Sequence, residues 1–203
     1  MMIKRLFDIL AGLVALVFLS LPMLVIAIWI RLDSPGPALF RQRRAGWRGE
    51  PFSMLKFRTM RINADPYGNS PQAGDDPRLT RIGRRLRELS LDELPQLFNI
   101  IGGSMSFVGP RPLYERQAEL WDQHQRRRLD VRPGLTGYAQ VYGRAALTHE
   151  EKIELDVYYV DNRSFWLDLK LIALTAVSIF RGRAGIYEQR YSRHQERETH
   201  RKP

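Results

Sequence analysis

The sequence contains no cysteine, which excludes disulfide frameworks, thiolate nucleophiles and Cys-ligated zinc together. A disulfide-free chain suits a reducing cytoplasm. Histidine is scarce: of the four present, His194 and His200 fall in a polar tail, so imidazole chemistry has only His124 and His149 to draw on. Walker A loops, dinucleotide glycine fingerprints and zincin motifs are all missing, and no internal repeat is visible. Acidic residues are in the minority, with 22 Asp and Glu against 32 Lys and Arg, for a formal charge of +10. A chain this basic meets anionic partners: phospholipid headgroups, nucleic acid or phosphorylated substrates. Its 203 residues allow one compact domain and a membrane element.

What is present begins with Ile9 to Ile30, 22 residues without a charge, enough for about 33 Å of helix. A signal peptide is disfavoured by the length of this run and by the lack of a small-x-small cleavage site after it. Pro22 lies well inside the run, where it removes a backbone donor and clashes with the carbonyl four residues earlier. Ser20 is placed to bond a freed carbonyl. Basic residues flank both ends, Lys4 and Arg5 before and Arg31, Arg41, Arg43, Arg44 and Arg48 after, which draws both ends to the cytoplasm. A helix that enters, breaks near Pro22 and returns satisfies both pulls, and a single straight span satisfies the length. The residues leave these two open.

Asp33-Ser34-Pro35-Gly36-Pro37 ends the apolar helix. Ala38 to Gln42 and Phe52 to Met60 read as extended pieces around an Ala45 to Gly49 turn, and Asn63 to Pro77 reads as a loop. Leu79, Ile82, Leu86 and Leu89 form a 3-4-3 apolar stripe among arginines, which predicts an amphipathic helix over Arg78 to Leu89, either solvated or lying on anionic headgroups. Tyr114 to Leu129 reads as a charged surface helix whose Arg126-Arg127-Arg128 end suits its dipole; single changes among these arginines are expected to matter little. Glu150 to Val160 and Phe165 to Phe180 are further helices, the latter too short to span. From Glu188 the chain is expected to be disordered.

The densest chemistry is Ser90-Leu91-Asp92-Glu93-Leu94-Pro95-Gln96-Leu97, two adjacent carboxylates beside an arginine-rich stretch. One reading is a capping box, Ser90 capping a helix and Glu93 reaching back to it. The other is a carboxylate that attacks phosphorus while its neighbour holds a divalent cation. Gly102 to Pro112 follows, where Pro110 and Pro112 stiffen the backbone around Arg111. A stiff arginine suits bidentate phosphate binding, although a rigid turn with a solvated arginine would look the same. Lys56-Phe57-Arg58-Thr59-Met60 alternates like a half-buried strand, and Arg132 and Arg144 lie near glycine turns.

The order of these strings resembles the small monotopic phosphoglycosyl transferases of the bacterial sugar transferase family. The resemblance runs through Lys4 to Asp8, Leu32 to Pro37, Lys56 to Met60, Ser90 to Asn99, Ser106 to Pro112, Val131 to Gly137 and Glu154 to Tyr159, over nearly the whole chain to about Gly185. It implies transfer of a phosphosugar from a UDP-sugar to polyprenol phosphate in two displacements. Asp92 would be the nucleophile, releasing UMP; Glu93 would hold Mg²⁺; Arg87, Arg111 and Lys56 would bind phosphate. The N-terminal segment would be a re-entrant helix broken at Ser20 and Pro22, with Leu21 between them where the family usually joins serine to proline directly.

The expectation is therefore an α-rich α+β fold. A re-entrant membrane helix (1–33) and a small cytoplasmic catalytic domain (34–187) form one unit, with amphipathic helices at the interface and a charged tail (188–203). The protein would sit at the bacterial inner membrane with the catalytic domain and both termini facing the cytoplasm. Its partners would be UDP-sugar, polyprenol phosphate and membrane phospholipids, not nucleic acid, and a homodimer is left open. Two rivals stand beside this: a metal-dependent glycosyltransferase that releases UDP, and a non-enzymatic binder of anionic lipid or nucleic acid, whose affinity would collapse with salt.

Overall fold

The computed structural model describes residues 2–65, 71, 75–143 and 147–180. The fold is helix-rich, with two small two-stranded sheets. Helix α1 (Met2–Asp33) carries the apolar run. It is continuous through Pro22, about 48 Å long at 1.5 Å per residue, so the expected break at Ser20 and Pro22 is not an interruption of the helix. The physical reason is local: proline removes one donor, while Leu19 and Met23 on either side are fixed by packing. Ser20 Oγ donates to the Val17 carbonyl at 2.8 Å, bonding one turn back inside the helix.

One face of α1 is part of the core. Met23, Ile26 and Ile30 pack with Phe57 and Leu86, while Ala15 and Leu19 pack against Leu97, Ile100 and Met105. The opposite face exposes Leu10, Val17, Phe18, Leu21, Leu24, Ile28 and Leu32. Both ends of α1 are tied to the same folded body. At the start, Lys4 Nζ donates to Asp168 Oδ2 at 2.7 Å and to the Val108 carbonyl at 2.8 Å. Asp8 Oδ1 accepts the Phe107 N–H at 3.1 Å. At the finish, Arg58 donates to the carbonyls of Ile30, Ser34 and Pro35, satisfying the orphan end of the helix. Asp33 Oδ2 accepts the Ile82 N–H at 3.1 Å.

Strands β1 (Leu39–Ala45) and β2 (Pro51–Phe57) form an antiparallel hairpin with Phe40 opposite Lys56 and Gln42 opposite Met54. Its turn includes Arg48 at φ 58°. Helix α2 (Arg81–Glu88) is capped by Thr80, whose side chain accepts the Gly83 N–H at 2.9 Å. Gly83 is required: a Cβ there would stand 2.0 Å from the Thr59 carbonyl oxygen. Leu86 is buried but Leu89 is exposed, and the helix expected over Arg78 to Leu89 is shorter at both ends, leaving Leu79 and Leu89 outside it. The loop at 63–77 is closed at its base by the Arg61 N–H to the Arg78 carbonyl at 2.9 Å, and residues 66–70 and 72–74 lie outside the described residues.

Helix α3 (Gln96–Gly102) leads to β3 (Ser106–Val108), which pairs in parallel with β4 (Gly134–Thr136). The surface helix expected over Tyr114 to Leu129 is instead divided into α4 (Glu115–Glu119), α5 (Gln123–Arg126) and a 3₁₀ turn. Asp122 starts α5 with its own capping box to Gln125, and Trp121 is buried between the two pieces. Arg128 is no surface residue: it is 3% exposed and pairs with Asp156 Oδ2. Helices α6 (Tyr138–Tyr142), α7 (His149–Asn162) and α8 (Phe165–Phe180) complete the fold. Arg144 and the expected disordered tail lie outside the described residues.

Candidate active site

The acidic pair sits on a 3₁₀ turn, Leu91–Glu93, between α2 and α3. Ser90 enters it at φ 56° and makes no side-chain cap bond. The capping-box reading therefore fails: the Glu93 carboxylate points to cations, not back to Ser90. Lys56 Nζ donates to Glu93 Oε1 at 2.8 Å and Arg111 Nη2 to the same oxygen at 2.9 Å. A non-glycine residue in the left-handed region costs about 1–2 kcal/mol, and here it turns the chain so that Asp92 and Glu93 follow directly on the arginine helix.

Each cation has a reason to be where it is. Lys56 lies on β2, held on one side by β1 and on the other by Asn99. The Asn99 side chain accepts the Leu55 N–H at 2.9 Å and donates to the Ser53 carbonyl at 2.8 Å. Arg87 lies on the last turn of α2, where its Nε donates to Thr59 Oγ1 at 2.9 Å; the close approach at Gly83 sets that spacing. Arg111 follows β3 in the stiff Pro110-Arg111-Pro112 segment. There the Gly109 N–H donates to the Thr136 carbonyl and the Gly134 N–H to the Pro110 carbonyl, both at 2.9 Å. A Cβ on Gly109 would come within 2.3 Å of the Arg132 carbonyl. Arg128, which sequence reasoning placed on the surface, donates to the Arg111 carbonyl at 2.8 Å and so fixes the backbone that carries Arg111.

The two carboxylates have opposite electrostatic settings. Asp92 is 6% exposed; burial pushes its pKa above the usual aspartate range, and the repulsion of Glu93 adds to this against the pull of Lys56, Arg87 and Arg111. Burial also acts to raise Glu93, but Arg111 and Lys56 outweigh it and hold its carboxyl well below the usual range. Lys56 is lowered, first by burial and then by Arg111, against the opposing pull of the two acids. One acid is thus a poised group and the other a fixed anion, the separation of roles that site chemistry needs.

The site rests on the apolar helix. Leu91 and Leu94, on either side of the pair, pack into the cluster of Met23, Ile26 and Ile30. The structure thus brings Asp92, Glu93, Lys56 and Arg111 together, with Arg87 within electrostatic reach of Asp92; Ser20 and Pro22 stay on α1. No group of three His, Asp or Glu side chains suited to a metal occurs among the described residues. A magnesium ion needs fewer, since it binds through one or two carboxylates and substrate phosphates while keeping several waters. The hard oxygen donors of Asp92 and Glu93 fit that requirement.

A buried carboxylate beside an acid that two cations hold, seated on a helix long and apolar enough to cross a membrane, is an arrangement suited to phosphorylated substrates. The chain belongs to the bacterial sugar transferase family, whose profile it matches over residues 1–182. It is 48% identical over 175 residues to the sugar transferase EpsL of Bacillus subtilis, covering 86% of each chain. It is 45% identical over 186 residues to the UDP-glucose:undecaprenyl-phosphate glucose-1-phosphate transferase of Xanthomonas campestris, covering 87% of this chain and 38% of that protein. The exopolysaccharide production protein ExoY of Rhizobium meliloti is 42% identical over 198 residues, with 89% of this chain and 88% of that one covered. The chain thus spans nearly the whole of some relatives and less than half the length of others.

Proposed function

We propose that this protein transfers a phosphosugar from a UDP-sugar to a polyprenol phosphate at the inner face of the bacterial membrane. Family membership and the activities named for relatives such as the Xanthomonas enzyme support the reaction class. The observation that carries the mechanism is the buried Asp92 beside a Glu93 already neutralised by Lys56 and Arg111.

In the first displacement an Asp92 oxygen forms a bond to the sugar-proximal phosphorus, the bond from that phosphorus to the bridging oxygen breaks, and UMP leaves. In the second, a polyprenol phosphate oxygen attacks the same phosphorus and the Asp92 carboxylate departs, giving a polyprenol diphosphate sugar. Asp92 must be ionised to attack, and Lys56, Arg87 and Arg111 favour that form. Arg111 and Arg87 offset the negative charge that otherwise repels a carboxylate from a diphosphate. A bound Mg²⁺ would be held by Glu93 and phosphate oxygens and would supply further charge neutralisation.

The seat of the site on α1 supports an interfacial reaction. A water-soluble nucleotide-sugar and a lipid phosphate meet only at headgroup level, so a shallow anchor supplies proximity. Because the 4–8 and 30–34 segments both bond to one folded body, α1 is read as entering the membrane from one face and staying on it. The basic flanks put that face in the cytoplasm.

The test is the nucleotide released from a panel of UDP-sugars with and without polyprenol phosphate. UMP release is expected. Release of UDP would assign the protein to simple glycosyl transfer, and release of neither from any sugar would favour a binding role.

A further inference from the structure

Arg44 was legible in the sequence only as one of several basic residues after the apolar run. Its position on the hairpin is more specific. In the β1–β2 register Phe40 faces Lys56 and Gln42 faces Met54, so the alternation of side chains puts Gln42, Arg44 and Lys56 on one face of the sheet. That face is the one from which Lys56 reaches Glu93.

The guanidinium of Arg44 is held in a frame of uncharged groups. Its Nε donates to Gln42 Oε1 at 3.2 Å, and its Nη2 donates to the same oxygen. Gln42 Nε2 in turn donates to the Tyr114 hydroxyl at 3.0 Å. The guanidinium carbon lies 3.7 Å from the centroid of the Tyr114 ring. These contacts fix the plane of the fork without neutralising its charge. No carboxylate among the described residues pairs with it, whereas neighbouring Arg43 is paired with Glu115 and buried Arg128 with Asp156. Burial strips water from Arg44 and draws its pKa down to about 10, with Arg111 lowering it further and Tyr114 and Glu93 opposing. A half-buried cation with no carboxylate partner is placed to meet an incoming anion.

We propose that Arg44 is a further anion-binding residue of the site, oriented by Gln42 and Tyr114, and that it takes a phosphate of the nucleotide-sugar diphosphate alongside Arg111. The inference rests on the donor reading above. Arg44 lies within electrostatic reach of both Arg111 and Glu93, and a bound phosphate would offset the mutual repulsion of the two guanidinia. Lys56, Arg87 and Arg111 all act on Asp92, and Arg44 stands with Arg111 in the field of Glu93.

The experiment is equilibrium binding of UDP and of uridine to the full detergent-solubilised chain, as wild type, Arg44→Gln and Arg44→Lys. Arg44→Gln is expected to weaken UDP at least about tenfold, the loss of one charge-assisted contact, and to leave uridine unchanged. Arg44→Lys keeps the charge without the planar fork, so it should recover only part of the loss. UDP affinity within twofold of wild type in Arg44→Gln overturns the proposal, as does a parallel loss of uridine, which would mark a structural role. Should Arg44→Gln fail to fold, Arg44→Lys decides, and wild-type UDP affinity in it is the contrary result. A wild type that binds no UDP removes the donor reading itself, and the proposal with it.

Discussion

Asp92 combines burial, which disfavours its charge, with a proposed role that demands the charge. Because its folded-state pKa lies above the unfolded value, its contribution to stability is largest at low pH and is lost as pH rises through the folded pKa. Asp92→Asn should therefore abolish turnover and raise the melting temperature at pH 7, with the gain shrinking as both proteins are brought below the unfolded aspartate pKa. The acid limb of the wild-type rate profile should lie above the ordinary aspartate range of about 3.9. Near-wild-type turnover in Asp92→Asn would contradict the nucleophile assignment. Arg128 is the second residue to test. Both it and Asp156 are 3% exposed or less, so Arg128→Ala strands a buried carboxylate and should cost about 3–5 kcal/mol in denaturant unfolding. A cost under about 1 kcal/mol would return it to the surface role its sequence suggested. Burial of that arginine was unreadable because its partners, Asp156 and the Trp121 ring 4.7 Å away, come from elsewhere in the chain. Asp92 and Glu93 were readable because adjacent acids after an arginine helix are a local pattern. That Glu93 bonds Lys56 and not Ser90 was a tertiary outcome.

At the scale of elements, a sustained apolar run and helix-start residues were the reliable signals. Phe165 to Phe180 appears as read, and Thr148 with Glu151 supplies the capping box that opens α7. The three-residue strands β3 and β4 had no signal to give, since a parallel pair that short has no periodicity of its own. Their glycines and prolines read as turns. Pro22 lies inside α1, which runs through it without interruption, with Leu19 and Met23 on either side packed into the core. Pro22→Leu tests what this proline does for topology. The substitution restores a donor within a helix that is already continuous, so it should stabilise α1 without moving the N-terminus across the membrane. Movement would have to break the Lys4 contacts with Asp168 and Val108 and the Asp8 contact with Phe107. Single cysteines after Met1 and in the tail, probed in intact spheroplasts with an impermeant thiol reagent, should both stay protected in wild type and in Pro22→Leu. Outside labelling of the N-terminal cysteine in wild type would make α1 a span.

The whole molecule is one apolar helix laid along a basic body, with the acidic pair where the two meet. Leu91 and Leu94 join the acidic turn to the α1 cluster, and the outer face of α1 exposes Phe18, Leu21, Leu24 and Ile28, a surface suited to lipid. On the proposed reading the net charge of +10 would act at two scales, against headgroups around the body and against phosphate around Asp92. The chemistry at that junction is tested most directly by intact mass of the purified chain incubated with its UDP-sugar and Mg²⁺ but no polyprenol phosphate. The account predicts a mass increase equal to one phosphosugar on the wild type, absent from Asp92→Asn and discharged when polyprenol phosphate is added. Phosphosugar transfer with no adduct on the wild type, or an adduct that persists in Asp92→Asn, would contradict it.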